Sequence, residues 1–332
     1  MKRRELAAMI GGFTAAAAVA PGAARAQGSP RPVVGFLADG TPEGFAPRVD
    51  GVKRGLADAG FVDGRNVTIE SRWARGDYDL LPRLAGELVA AGAAAIVTAG
   101  TEKVVRAAMA ATTSVAIIAA TSGDPVKRGL VSSISRPGGN VTVVSLFTAS
   151  SNALISKRVE LLHEVAPAAR TLGWLVDVNI LDYDEQLHDV QAAAGALGLE
   201  ARVGRVKGAD DVAGAFRALV KEGAGAVVET GPVFFANREP LVALAAEASI
   251  PALYEWRNFV DDGGLMSYGT NLASVFQQCG RYAARVLKGE KVGDLPVVQE
   301  PKIEFVFNLR TARTLGLSVP PTLLARADAV IE

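Results

Sequence analysis

Short apolar runs alternate with amphipathic helical stretches through most of this chain, and that alternation limits the folds open to it. "VVGFLA" (33–38), "NVTIESRW" (66–73), "AAAIVTA" (93–99) and "VAIIAA" (115–120) have the length and apolar content of strands. Between the first two, Val49, Val52, Leu56 and Ala59 recur at helical spacing; Leu81, Leu84, Leu88 and Ala91 do so after the second. A further helix is expected from about Thr101. Strands alternating with helices in this way build a parallel sheet covered on both faces.

The pattern restarts after about residue 150. Strands are expected at "TLGWLVD" (171–177), "EARVGRV" (200–206), "GAVVET" (225–230) and "PALYEW" (251–256), with helices between them. "ELVAAGAAAIVTAGT" (87–101) aligns with "ALVKEGAGAVVETGP" (218–232) at an offset of 131, with seven of fifteen positions identical, Gly100 and Gly231 among them. The match falls at the same helix–glycine–strand–glycine place in each half, so two similar α/β lobes are expected. After the second lobe come "GGLMSYG" (263–269), a helix carrying Phe276 and Cys279, and strand-like "PVVQ" and "KIEFVFN". A chain that returns to its first lobe this late crosses between lobes several times, which makes a hinge. Crossings are expected near Val144–Thr148, Leu265–Gly269 and Gln299–Ile303. The first lobe would hold residues 32–145 and 270–300; the second would hold 146–268 and about 301–328.

Residues 1–26 read as a signal peptide. Lys2, Arg3 and Arg4 form a basic head, Leu6 to Ala20 an apolar stretch too short to span a bilayer well, and Ala24-Arg25-Ala26 a cleavage site. The paired arginines suit a twin-arginine signal. Cleavage after Ala26 would release the protein into the periplasm. Lysine plus arginine and aspartate plus glutamate both number 35, and the first 26 residues hold four cations against one anion, so the remainder carries −3. That charge offers no footprint for nucleic acid. A single cysteine, Cys279, excludes an internal disulfide.

Ligands of open parallel sheets bind beyond the carboxyl ends of the strands. The loops there hold Asp39, Thr101, Ser122, Asp124, Phe147, Asp177, Asn179, Thr230, Phe235, Tyr254, Glu255, Trp256 and, at the late crossing, Tyr268. The hydroxyls of Thr101 and Ser122 suit a carboxylate at a helix start. Asp124, Asp177 and Glu255 suit an ammonium group. Phe147, Tyr254, Trp256 and Tyr268 offer apolar or aromatic surface. Each has a plainer reading: Thr101 as a helix cap, Asp124 as a turn residue before Pro125, Trp256 as core. Of the two phenylalanines in "TGPVFFANR", Phe234 shares a stripe with Leu241, Leu244 and Ala248 and reads as core, whereas Phe235 falls off it and reads as a cleft wall.

Catalytic signatures are lacking. The two histidines, His163 and His188, lie on expected helix surfaces, and no metal spacing, nucleophile elbow, P-loop or dinucleotide fingerprint occurs. Cys279 sits on an apolar stripe. No cofactor and no metal are expected, and a paired-carboxylate hydrolase stays open.

"VVGFL", "AGFVDGRNVTIESRWARGDYDLLPRLAGELV", "TSGDPVKRGLVSSISRPGGNVT", "KRVELLHEVAP", "GGLMSYGTN" and the closing "NLRTARTLGLSVPPTLLARADAVIE" resemble the ABC-transporter substrate-binding proteins, a family that includes tryptophan- and tyrosine-binding members. The resemblance implies two Rossmann-like lobes with parallel sheets, a three-crossing hinge and a ligand cleft between the lobes, as in the type I periplasmic binding proteins. It implies a monomer that captures a small solute and passes it to a membrane permease. The chain departs from the family pattern at Val176–Ile180 and Gly231-Pro232-Val233, both in cleft loops, and at Val143. Two other readings stay open: a two-lobed periplasmic hydrolase or epimerase, and a ligand sensor that docks to a receptor.

Overall fold

The structure is a computed structural model and describes residues 31–146, 151–180, 183–298 and 302–332. The expected signal segment and Phe147 lie outside the described residues. No helix among the described residues is long and apolar enough to cross a membrane.

The first sheet holds five parallel strands in the order β2-β1-β3-β4-β5: β1 (Val33–Ala38), β2 (Thr68–Trp73), β3 (Ala93–Ala99), β4 (Ala116–Thr121) and β5 (Val141–Ser145). Side chains alternate across it. Val34, Phe36 and Ala38 face one core layer with Val52, Leu56 and Phe276; Leu37, Ile96 and Ile117 face the other with Leu84, Leu88 and Val104. The first layer is roofed by α1 (Pro42–Ala57), the second by α2 (Leu81–Ala90) and α3 (Glu102–Ala111).

After α4 (Ser151–Val165), the second sheet repeats the scheme with β6 (Thr171–Asp177), α5 (Tyr183–Ala196), β7 (Glu200–Val206), α6 (Val212–Lys221) and β8 (Ala226–Thr230). Then come α7 (Pro232–Ala236), α8 (Arg238–Glu247), β9 (Ala252–Tyr254), α9 (Arg257–Asp261) and β10 (Met266–Thr270). Read from its far edge, this sheet runs β7-β6-β8-β9-β10, the same order as the first. The protein is therefore α/β with two lobes, as expected.

The chain then crosses back. The helix α10 (Leu272–Leu287) lies on α1, with Gly51, Gly55 and Gly280 at the contact. A Cβ on Gly55 would stand 1.9 Å from the Gln277 carbonyl oxygen, and one on Gly280 would stand 2.2 Å from that of Val52. These backbones touch, so the late helix belongs to the first lobe. Val298 bridges to Val144, and the chain returns as β11 (Ile303–Asn308), α11 (Leu309–Thr314), α12 (Pro321–Leu324) and β12 (Ala329–Ile331).

Two details differ from the sequence reading. Met266–Thr270 is still a strand of the second sheet, so the second crossing comes after Thr270 rather than within 265–269. The second sheet is also not wholly parallel, because β11 pairs antiparallel with β10, Thr270 opposite Ile303 and Met266 opposite Phe307. The cause is directional. β10 ends at the hinge, and β11 starts there on its way back from the first lobe, so the two must run oppositely. The connecting segments lie side by side: Ser145 N donates to Val298 O at 2.8 Å, Asn271 N to Lys302 O at 2.8 Å, and Thr270 Oγ1 to Leu146 O.

Candidate functional site

Both lobes place an aspartate at the end of their leading strand. Asp39 follows β1, and Asp177 ends β6. Each lies beside the glycine that ends the neighbouring strand, Gly100 after β3 and Gly231 after β8. These glycines hold φ of 120° and 132°, conformations unfavourable to other residues. A Cβ on Gly100 would stand 2.1 Å from Asp39 Oδ1, and one on Gly231 would stand 2.4 Å from Asp177 Cβ. The aligned glycines of the internal repeat thus do one job twice: they leave room for an acidic residue at the strand tip.

Asp39 is buried, and its Oδ2 accepts from Thr101 N at 2.7 Å at the start of α3. Burial pushes its carboxyl above the ordinary value; the Thr101 amide and the Arg48 charge pull the other way. Asp177 is buried and accepts from Asn179 N and Asn179 Nδ2, both at 2.9 Å. Tyr78, in the 3-10 turn Tyr78–Leu80 after β2, belongs to the same place. Burial raises its pKa, and the charges of Asp39 and Asp177 raise it further. The Lys103 ammonium stands 4.3 Å from the centre of its ring.

A second group spans the seam. Phe235 of α7 packs edge-on against Phe45 of α1, with ring centres 6.2 Å apart. The Arg48 guanidinium lies 3.9 Å from the Phe45 centre and 4.1 Å from that of Phe235. Burial lowers Arg48 to about 9; the charge of Asp39 raises it and that of Arg238 lowers it, which leaves Arg48 charged at neutral pH. Phe234, by contrast, is wholly buried among Phe216, Leu241 and Phe259. Phe235 is buried in the same cluster but also meets the opposite lobe through Phe45.

The other sequence candidates have partners of their own. Glu255 forms a buried ion pair with Arg158 of α4 at 3.2 Å and lies 3.5 Å from Gly231 N. Arg158 Nε also donates to Tyr268 O at 2.8 Å. Glu229 accepts from Glu255 N at 2.7 Å; burial, then the Glu255 charge, drives its carboxyl well above the ordinary range. Tyr254 is stacked on Phe259 at 4.7 Å and packs, like Trp256, in the core beneath α8 and α9. Thr230 Oγ1 accepts from Trp174 Nε1 at 3.0 Å. Asp124 is exposed, and its Oδ1 accepts from Val126 N and Lys127 N, as a turn residue does. Ser122 is half-buried just past β4, and Tyr268 packs edge-on against Phe305.

Thus Asp39 and Thr101 bond to one another at the tips of the first sheet, Asp177 holds the matching place in the second, and Phe235 meets Phe45 across the seam, while Tyr254, Trp256 and Asp124 serve packing and a turn. Tyr78, Phe45 and Arg48 escaped the sequence reading. Phe45 lies on the stripe of Val49, Val52 and Leu56 and reads as core; Arg48 is one helical step from it. Among the described residues, no group of three or more histidine, cysteine, aspartate or glutamate side chains is arranged to hold a metal.

The family model described as "ABC transporter substrate binding protein" matches residues 42–331. A tyrosine-binding protein of Clostridioides difficile is 27% identical over 275 residues, 82% of this chain and 78% of that protein. Among solved structures, an ABC domain in complex with L-Trp from Streptococcus pneumonia overlays with a TM-score of 0.79 at 24% identity, covering 91% of this chain and all of that one. The ligand-free, open structure of a substrate-binding protein with adhesive properties from Clostridium difficile gives 0.66 at 22% identity, covering 91% and 99%. The chain belongs to the ABC-transporter substrate-binding protein family.

Proposed function

We propose that the protein is the extracytoplasmic solute-binding component of an ABC importer. It captures a small amino-acid-like ligand by closing its lobes, and it delivers that ligand as a monomer to a permease in the cytoplasmic membrane. The Met1–Ala26 segment would direct export, with cleavage after Ala26. The observation that carries the reading is the matching placement of Asp39 and Asp177 at the tips of equivalent strands, each with a glycine making room for it. Two carboxylates brought to one seam leave a negative site that an ammonium group neutralises, and only the closed form presents both. Thr101, Tyr78 and Asn179 add polar contacts around that group. Phe235 and Phe45 supply a wall for an apolar side chain. The tyrosine-binding relative supports an aromatic amino acid as the first ligand to try.

The test is a thermal-shift screen of the twenty L-amino acids and matched amines, followed by calorimetry. At a ligand concentration a hundredfold above Kd, binding adds about 2.7 kcal/mol and raises Tm by several degrees. Aromatic L-amino acids should give the largest rise, and Asp177→Asn should weaken binding about tenfold or more. A screen in which nothing raises Tm would count against the reading.

A further inference from the structure

Phe45 and Arg48 project from the first turns of α1, and Phe235 projects from α7 on the other side of the seam. The Arg48 guanidinium lies 3.9 Å and 4.1 Å from the centres of the two rings, which themselves meet edge-on. A cation on an aromatic face is attracted by the ring quadrupole, most strongly where water is excluded. Here Phe45 comes from one lobe and Phe235 from the other, so the full set of contacts exists only while the lobes touch. The small cavity beside it is lined from both lobes, by Gly44 and Pro47 of α1, Leu272 and Ala273 of α10, and Phe235 and Asn258.

Two observations set the strength of this contact. Arg48 Nη1 is buried with no hydrogen-bond partner among the described residues. Opening returns that N–H to water, so its isolation opposes closure and keeps the contact from locking the lobes. Arg238, also beside Phe235 at 5.4 Å, is held within its own lobe by Asp262 at 2.6 Å. Its charge repels Arg48 and acts in the same direction.

We propose that Arg48 is a positioning residue for solute capture: a cation–π latch that draws the ligand-free lobes together and holds the Phe235 ring in place as a wall of the cleft. The latch rests on the closure reading above but needs no solute to act. It differs from the acidic residues in kind, since Asp39 and Asp177 would act on a bound ammonium group, whereas Arg48 attracts an aromatic ring across the empty seam.

The experiment measures inter-lobe distances in the full mature chain, freed of solute by reversible unfolding and dialysis. Spin labels at Arg65→Cys and Glu222→Cys, both exposed and one on each lobe, report the distance distribution by double electron–electron resonance; the native Cys279 is buried. The closed population should be visible without ligand. Arg48→Met should lower the closing constant about tenfold, the scale of one desolvated cation–π contact. Phe235→Leu should open the lobes at least as far, since it also removes the edge contact with Phe45, and the double variant should open less than the product of the two single effects, because the Arg48–Phe235 contact is shared. Arg48→Lys, which keeps the charge but not the flat stacking surface, should fall between. Tm should stay near the wild-type value in the Arg48 variants, which a loss of lobe packing would not allow. A ligand-free wild type no more closed than Arg48→Met overturns the latch, as do independent, multiplying effects of the two substitutions. Failure to bind any amino acid would instead count against the proposed function, and the ligand-free distances would still decide the latch.

Discussion

Arg158 interrupts a stripe that is otherwise apolar: Leu154, Leu161, Leu162 and Val165 share its face of α4. A guanidinium there needs a buried partner, and Glu255, 97 positions further on, supplies it. Sequence reasoning marked Glu255 as free for a ligand because its partner lay out of view. Removing one member of such a pair typically costs about 3–5 kcal/mol by stranding the other. Glu229 beside it shows the opposite response. Its carboxyl is raised by burial first and by the Glu255 charge second, so its folded pKa exceeds the unfolded one, about 4.3. Protonated Glu229 stabilises the fold below that unfolded value, and the contribution is lost as pH rises through the folded one. Glu229→Gln keeps a carbonyl acceptor for Glu255 N but cannot ionise. Tm measured from pH 4 to pH 9 should therefore fall more in the wild type than in Glu229→Gln toward the alkaline end. Parallel curves would contradict the assignment.

Among the elements, α10 decides how the chain is wired. Its apolar stripe of Val275, Phe276, Cys279 and Ala283 was legible from spacing alone, and all four are buried. Its partner was not legible, because glycines in a helix read only as weak helix formers. The contact with α1 depends on Gly55 and Gly280, where backbone leaves no space for a methyl group. Gly280→Ala should cost about 1–3 kcal/mol through overpacking despite alanine's better helix propensity, seen as a Tm several degrees lower. An unchanged or higher Tm would show that the helices can slide apart freely. The strands followed the same division. Buried runs such as Val33–Ala38 and Ala93–Ala99 declared themselves, whereas the antiparallel direction of β11 depends on where the chain re-enters the lobe.

At the scale of the whole molecule, the internal repeat carried the most information. The aligned glycines Gly100 and Gly231 marked the two places where a strand tip crowds an aspartate, and with them the seam. The loops themselves were harder to read. Successive residues beyond a strand point to opposite faces, so Glu255 meets the seam-facing Gly231 while Tyr254, one position earlier, turns into the core. Phe45 and Arg48 reach the seam because α1 begins there, although their spacing fits the buried stripe. The claim that joins these parts is that the lobes close on a solute held between Asp39 and Asp177. Small-angle X-ray scattering of the mature chain, with and without the amino acid that gives the largest thermal shift, tests it most directly. The expected result is a smaller radius of gyration with ligand in the wild type and a reduced response in Asp177→Asn at the same ligand concentration. A radius unchanged at saturating ligand would contradict closure.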